Sequence, residues 1–193
     1  MQDIFARADQ LGKDSTGSVS PLPEYVTSGL TTVVVFSALS FFSSFGLFSY
    51  LTYRFIRVKF VDKSKEPLNQ FLVLTYNLLL ADLQQAVAFG LNIVWLTRNS
   101  IQVGTTACWL QAWLINTGDL SSSLFIFAIA LHTLLVIVNN YKLPQWGFWL
   151  SIVGLWTFNY VVTCVPMIGR ERLYVRSGPW VRLFMDRHSW FNN

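Results

Sequence analysis

Apolar residues are concentrated in four long stretches, each holding at most one charged residue. Each stretch is long enough to cross a bilayer as a helix, for which about 20 apolar residues suffice. The spans are placed at residues 29–53, 69–96, 107–138 and 146–168, separated by polar loops at 54–68, 97–106 and 139–145. This pattern predicts an all-α membrane protein with four transmembrane helices. The polar residues 1–28 are expected to form an unstructured extracellular tail.

The third span is the one around which the chain is organised. It is about 30 residues long and would rise roughly 45 Å as a helix, more than the hydrocarbon thickness of a bilayer. Its polar side chains share one side of the helix at about 100° per residue. They are Gln111, Asp119, Ser122 and Ser123. A polar stripe on a membrane helix predicts that neighbouring helices cover it.

The second span has a polar face of its own, formed by Thr75, Asp82, Gln85 and Asn92. A carboxyl group near the middle of a membrane helix costs several kcal/mol if it faces lipid, so Asp82 is expected to face protein or water. Asp119 would lie at a comparable depth. If the two helices are neighbours, one carboxyl is protonated or a cation lies between the two. The functional interpretation is an ion or proton site, and the alternative is a hydrogen-bonded packing acid.

Composition supports the membrane class, since 53% of the residues are hydrophobic and 12% are charged, against about 25% charged in soluble domains. The net charge of +4 does not indicate a nucleic-acid partner, because the basic residues lie between apolar spans. Five of them follow the first span: Arg54, Arg57, Lys59, Lys63 and Lys65. The positive-inside rule then predicts a cytoplasmic loop at 54–68 and an external amino terminus. The expected location of the chain is the plasma membrane. The five arginines of segment 169–193 would lie on the outer side, against that rule.

Enzyme chemistry is not expected. His132 and His188 are the only histidines, and no nucleophile pair or metal-ligand spacing occurs, so no cofactor or metal is predicted. His132 is interpreted as a cap at the inner end of its helix. Cys108 and Cys164 could pair, although free thiols are the expectation. Segment 169–193, rich in arginine and aromatic residues, is interpreted as a surface-bound amphipathic piece or an unstructured remnant.

Four segments carry a resemblance to a known family. They are YNLLLADLQQA (76–86), ACWLQAWLINTGDLSSSLFIFAIALHT (107–133), FWLSIVGLWTFNYV (148–161) and GRERLYVRSGPW (169–180). They resemble the amino-terminal half of fungal seven-helix G protein-coupled receptors of the glucose- and nutrient-sensing group, which are related to slime-mould cAMP receptors. The resemblance covers about Gly29 to Trp180. It implies sensing of a small extracellular nutrient and signalling to a heterotrimeric G protein.

The resemblance also implies roles for individual residues. The LLAD at 79–82 is similar to an element of rhodopsin-like receptors whose Asp and a Ser on the next helix help to hold sodium, and Asp82 and Ser122 match those positions. Arg57, His132 and Lys142 would lie on the inner, G-protein side. Cys108 resembles a receptor cysteine that pairs with one in the next outer loop, but that partner is missing here. His132-Thr133-Leu134 stands where those receptors have Asp-Arg-Tyr.

The sequence stops after four spans, so the resemblance implies a truncated receptor whose activity would be nil or limited to pairing with full-length copies. Two other classes remain open. One is half of an oligomeric proton or cation transporter that uses Asp82, Asp119 and His132. The other is a structural four-helix membrane protein.

Overall fold

A computed structural model describes residues 20–61, 69–102, 105–139, 144–164, 174–177 and 180–183. We number its helices in chain order. They are α1 (Glu24–Ile56), continued by a π-helical turn (Arg57–Val61), α2 (Gln70–Gly90), α3 (Asn92–Arg98), α4 (Thr106–Asn139) and α5 (Gln145–Cys164). Two short strands follow, β1 (Tyr174–Ser177) and β2 (Trp180–Leu183).

Four helical units are long and apolar enough to cross a membrane: Glu24–Lys59, Gln70–Arg98, Thr106–Val138 and Gln145–Cys164. The predicted all-α fold class with four spans is therefore confirmed. The first helix begins five residues before the expected span, because Pro23 has an extended backbone and serves as its N-cap. Glu24 then lies in the first turn, where a carboxylate favours the helix dipole. Lys142 and the rest of its loop lie outside the described residues.

The second span is broken at Leu91 into α2 and α3. The Val94 N–H bonds to the Leu91 carbonyl at 3.0 Å, three residues back instead of four. The Asn92 side chain donates to the carbonyl of Phe89 at 2.8 Å. An amide side chain that bonds to the local backbone competes with the regular helix, and Gly90 just before the break lowers the cost of interrupting it. The expected single helix at 69–96 is thus one span made of two segments.

Helix α4 lies at the centre and packs against α2 and α5, while α1 packs against α2. Two apolar clusters form the core at opposite ends of the bundle. The Trp95 cluster contains Leu22, Leu30, Trp95, Ile101, Cys108 and Ala112. The Phe125 cluster contains Val73, Leu74, Phe125, Phe148 and Ile152. Most other large apolar side chains face outwards, as lipid-facing surfaces of membrane helices do.

The residues just before α1 are fixed to the end of α3. Leu22 is buried in the Trp95 cluster, and its backbone N–H donates to the Asn99 side chain at 3.3 Å. Asn99 has a left-handed backbone with φ 47°, a conformation that asparagine tolerates at a helix C-terminus. Leu22, which lies within the tail expected at 1–28, therefore packs against the bundle.

Strands β1 and β2 pair antiparallel, with Tyr174 opposite Leu183 and Ser177 opposite Trp180. Valine, tyrosine and tryptophan favour strands, and Gly-Pro between the two strands is a turn signal. Residues 174–177 and 180–183 thus form an antiparallel pair, and the surface-bound amphipathic role of segment 169–193 stays a prediction.

Candidate functional site

Four polar side chains link α2 to α4 in a crosswise arrangement. The Ser122 hydroxyl donates to the carboxylate of Asp82 at 3.1 Å, and the Gln85 amide donates to the carboxylate of Asp119. Residues 82 and 85 are three apart on α2, as are 119 and 122 on α4, so each pair shares a helix face. The two contacts run in opposite order along the chain, as antiparallel helices require. We call these four residues the carboxylate site.

Gly118 allows the two helices to come this close. A Cβ atom placed on Gly118 would lie 3.1 Å from the Cβ of Gln85 and 3.3 Å from its Cα and N atoms. Small residues let membrane helices approach backbone to backbone. Because Gly118 precedes Asp119, its contact with Gln85 brings the amide and the carboxylate together. The sequence signal for this contact is an isolated glycine inside a helical pattern. The prediction of the site considered only acidic and polar side chains, so it did not single out Gly118.

A cavity of about 600 Å³ lies beside the carboxylate site, between α1, α2 and α4. Asp119 is exposed and Asp82 is half-buried. The residues that line the cavity are Val33, Phe36, Ser37, Ser40, Asp82, Gln85, Ala86, Phe89, Ile115 and Asp119. Both carboxyl groups therefore border a space large enough for a small molecule.

The carboxylate site has acceptor capacity to spare. A carboxylate offers about four lone-pair sites, and Asp82 and Asp119 each accept one side-chain hydrogen bond from the residues named above. Among the described residues, no three His, Cys, Asp or Glu side chains come together as a metal-binding group. The chemistry available to the cavity is thus acceptance of protons, hydroxyl hydrogens or a cation by two carboxyl groups.

A second polar network links the other part of the same span to α4. Gln111 accepts from the Trp95 indole N–H at 2.7 Å and donates to the Asn92 side chain at 2.9 Å and to the Ala88 carbonyl at 3.3 Å. All three side chains are buried. We call this arrangement the amide network. The polar stripes of the sequence predicted Gln111 and Asn92, but Trp95 and the Ala88 carbonyl were missed, because neither is a polar side chain in such a stripe.

Two hydrogen bonds join α2 to α5. The Trp156 indole donates to Asn77 at 2.9 Å, and Gln84 donates to the Tyr160 hydroxyl at 3.4 Å. Asn159, beside Tyr160, is fully buried, and neither its amide nitrogen nor its amide oxygen has a hydrogen-bond partner among the described residues. Sequence reasoning did not single out Asn159, because one asparagine in an apolar span gives no periodic signal.

The remaining predicted residues lie away from the carboxylate site. His132 contacts the Gln70 side chain at 3.1 Å, so its ring bonds to the start of α2. Arg57 is exposed in the π-helical turn, and Lys142 falls outside the described residues. Cys108 is buried in the Trp95 cluster and Cys164 lies at the end of α5, and neither forms a disulfide bond within the described part of the chain.

Comparisons with known proteins leave the chain without an assigned relative. No family model matches it, and no curated protein matches it. The four apolar helices define a multi-pass α-helical membrane protein.

Proposed function

We propose that this chain is a receptor-type membrane protein whose four spans correspond to the first four helices of a seven-helix G protein-coupled receptor. Its role would be to sense an extracellular nutrient of the glucose type and to signal to a heterotrimeric G protein. The observation that carries the proposal is the 3.1 Å contact between Asp82 and Ser122. The sequence resemblance assigns these two residues to linked positions on neighbouring helices.

The cavity chemistry supports a small polar ligand. Hydroxyl groups of a sugar are hydrogen-bond donors, and the carboxylates of Asp82 and Asp119 are strong acceptors. Phe36 and Phe89 add apolar surface for the C–H faces of such a ligand. A ligand that donates hydroxyl hydrogens to both Asp82 and Asp119 would bridge α2 and α4, because the two carboxyl groups lie on different helices and border one cavity. Binding would then change the contact between α2 and α4, which is how a receptor converts occupancy into helix movement.

The G-protein side would be the end of the bundle that carries His132 and Arg57. His132 bonds to Gln70 at the start of α2, so a shift of α4 against α2 alters the position of this end. Arg57 is exposed there and is free to contact an acidic partner. Lys142 belongs to the same side by the resemblance.

The proposal can be tested by complementation in a yeast strain that lacks its own glucose receptor. The full chain is co-expressed with a fragment that supplies the fifth to seventh helices of a fungal receptor of this group. We expect glucose-dependent activation of the G protein that requires both polypeptides. Ser122→Ala should lower the response several-fold because it removes the bond to Asp82. Ser123→Ala is the matched control, since Ser123 is exposed and donates to the Asp119 carbonyl of its own helix. A response that is absent at matched expression, or equal for both variants, would overturn the receptor proposal.

A transporter half is the second candidate, favoured by the two carboxyl groups that border one cavity. It predicts proton or cation flux by the chain in proteoliposomes, and this flux should disappear in Asp82→Asn. Asparagine keeps the shape and the bond from Ser122 but cannot exchange a proton at neutral pH. Flux that depends on Asp82, without G-protein activation, would replace the receptor proposal by the transporter.

A further inference from the structure

The last turns of α1 have two opposite faces. Phe48, Thr52 and Phe55 lie on one side, with Phe48 stacked on Tyr76 of α2 at 4.4 Å between ring centroids and Phe55 edge-on to it at 5.5 Å. Thr52 also contacts the Tyr76 hydroxyl at 3.2 Å. These contacts fix the rotation of α1 about its own axis.

The opposite face points away from the bundle. Its members are Tyr50, Tyr53, Arg54 and Arg57, which fall within about 100° of one another on the helix and about 180° from the packed face. All four are exposed, Tyr50 by 58% and Tyr53 by 64%. We call these four residues the Arg54 surface.

The Arg54 surface lies at the level of lipid headgroups. The uncharged stretch of α1 ends near Leu51, so Arg54 lies about 4.5 Å and Arg57 about 9 Å beyond it at 1.5 Å per residue. The headgroup layer on each side of a bilayer is about 5–8 Å thick. Tyrosines are typical of the boundary between hydrocarbon and headgroups. The two guanidinium groups are therefore placed where lipid phosphates lie.

The two guanidinium groups are open to an anionic partner. Within the described part of the chain neither has an ion-pair or hydrogen-bond partner. The next basic side chain, Lys59, is also exposed, and the sequence continues with Lys63 and Lys65. Guanidinium groups bind phosphate with two parallel hydrogen bonds.

We propose that the Arg54 surface is a binding site for anionic phospholipids, with Arg54 and Arg57 on the headgroup phosphate and Tyr50 and Tyr53 against the acyl–headgroup boundary. The site shares Arg57 with the G-protein side of the proposed receptor and uses no residue of the carboxylate site. Its test measures lipid retention and not signalling, so the two proposals can fail separately. The fixed geometry of the Arg54 surface comes from the packing of α1 on Tyr76. The site prefers phosphatidylserine or phosphatidylglycerol to phosphatidylcholine, since the zwitterionic headgroup carries its own cation.

The test is native mass spectrometry of the full chain, released from nanodiscs that contain equal amounts of phosphatidylserine and phosphatidylcholine. We expect preferential retention of phosphatidylserine. The double variant Arg54→Gln/Arg57→Gln should lower that retention about 25-fold, at roughly fivefold for each cation near the surface. Phosphatidylcholine retention should stay unchanged.

Two further variants distinguish lipid binding at the Arg54 surface from nonspecific attraction of lipids by surface charge. Arg98→Gln removes an exposed arginine at the other end of the bundle and should leave phosphatidylserine retention unchanged. Arg54→Lys/Arg57→Lys keeps the charge and should retain at least a third of the binding. Circular dichroism checks that each variant keeps its helical content. Equal retention of the two lipids by the unaltered chain, or an equal loss in Arg98→Gln, would overturn the proposal.

Discussion

The amide network and the carboxylate site both join the second span to α4, yet they differ in how completely their polar groups are satisfied. In the amide network Gln111 bonds to Trp95, to Asn92 and to a backbone carbonyl, all of them buried. In the carboxylate site each carboxyl group accepts one side-chain bond and faces a cavity.

This difference distinguishes two roles of polar side chains inside a membrane. A closed network uses its hydrogen-bonding capacity within the protein, so it fixes helix register and offers nothing to a ligand. A site with spare acceptors beside a cavity holds the helices less firmly but leaves groups that a ligand, proton or cation can reach. The following variants test that distinction, in order of expected effect.

Gly118→Val should have the largest effect, because it separates α2 from α4 beside the carboxylate site, where the two helices approach each other most closely at Gln85. The added side chain meets the Gln85 backbone, which cannot move aside as a flexible side chain can. We expect a loss of about 3 kcal/mol in the free energy of unfolding. Unfolding by sodium dodecyl sulfate in mixed micelles, followed by circular dichroism, measures it. Gly154→Val is the control, since nothing lies within 4 Å of a Cβ there. Equal losses in the two variants would contradict the role given to Gly118.

Gln111→Leu tests the amide network. It leaves the Trp95 indole N–H, the Asn92 oxygen and the Ala88 carbonyl without their partner on α4. We expect destabilisation by about 2 kcal/mol, since buried groups that lose a partner cost more than the net value of the bond. The same micelle titration measures this change, with Gln145→Leu at an exposed position as the control. A change below about 0.5 kcal/mol would mean that the amide network does not hold the helices together.

Asn159→Leu should act in the opposite direction. The amide of Asn159 is buried without a partner among the described residues, and leucine has a similar volume. Removing two unsatisfied polar atoms should stabilise the protein by about 1 kcal/mol. Asn116→Leu provides a comparison, because the Asn116 side chain donates to the Ala112 carbonyl at 2.8 Å. Destabilisation by Asn159→Leu would show that its amide is satisfied in the membrane.

Ser122→Ala should have the smallest effect on stability, about 0.6 kcal/mol, the average for a side-chain hydrogen bond between membrane helices. In the complementation assay the same variant should lower the signalling response several-fold, because the carboxylate site is proposed to act through the contact between Ser122 and Asp82. If Ser122→Ala lowered the free energy of unfolding as much as Gln111→Leu does, the carboxylate site would hold the helices as firmly as the amide network, and the distinction between them would be lost.

The helix period made several of these residues predictable. It places Asp82, Gln85 and Asn92 on one face of the second span and Gln111, Asp119 and Ser122 on one face of the third, and the structure brings those faces together. The helix period does not show which polar side chains on a face bond to the neighbouring helix and which bond to their own. Thr75 and Ser123 share these faces, but they bond to their own helices, at the Phe71 and Asp119 carbonyls.

Other features depend on tertiary contacts that no local pattern encodes. The register between α2 and α4 follows from the approach of Gly118 to Gln85. The break at Leu91 accompanies a bond from Gln111, which lies 23 residues after Ala88 in the chain. Whether Asn159 finds a partner is decided by the helices that surround it, and its own sequence neighbourhood contains no information on that point.

The attachment of Leu22 to Asn99 has a mechanical consequence. A pull on residue 22 is shared between α1, which follows it in the chain, and α3, to which its backbone N–H is bonded. Leu22 also packs in the Trp95 cluster, and the Trp95 indole donates to Gln111 on the central helix. The residues before α1 are thus connected to α4 by side-chain contacts as well as by the backbone.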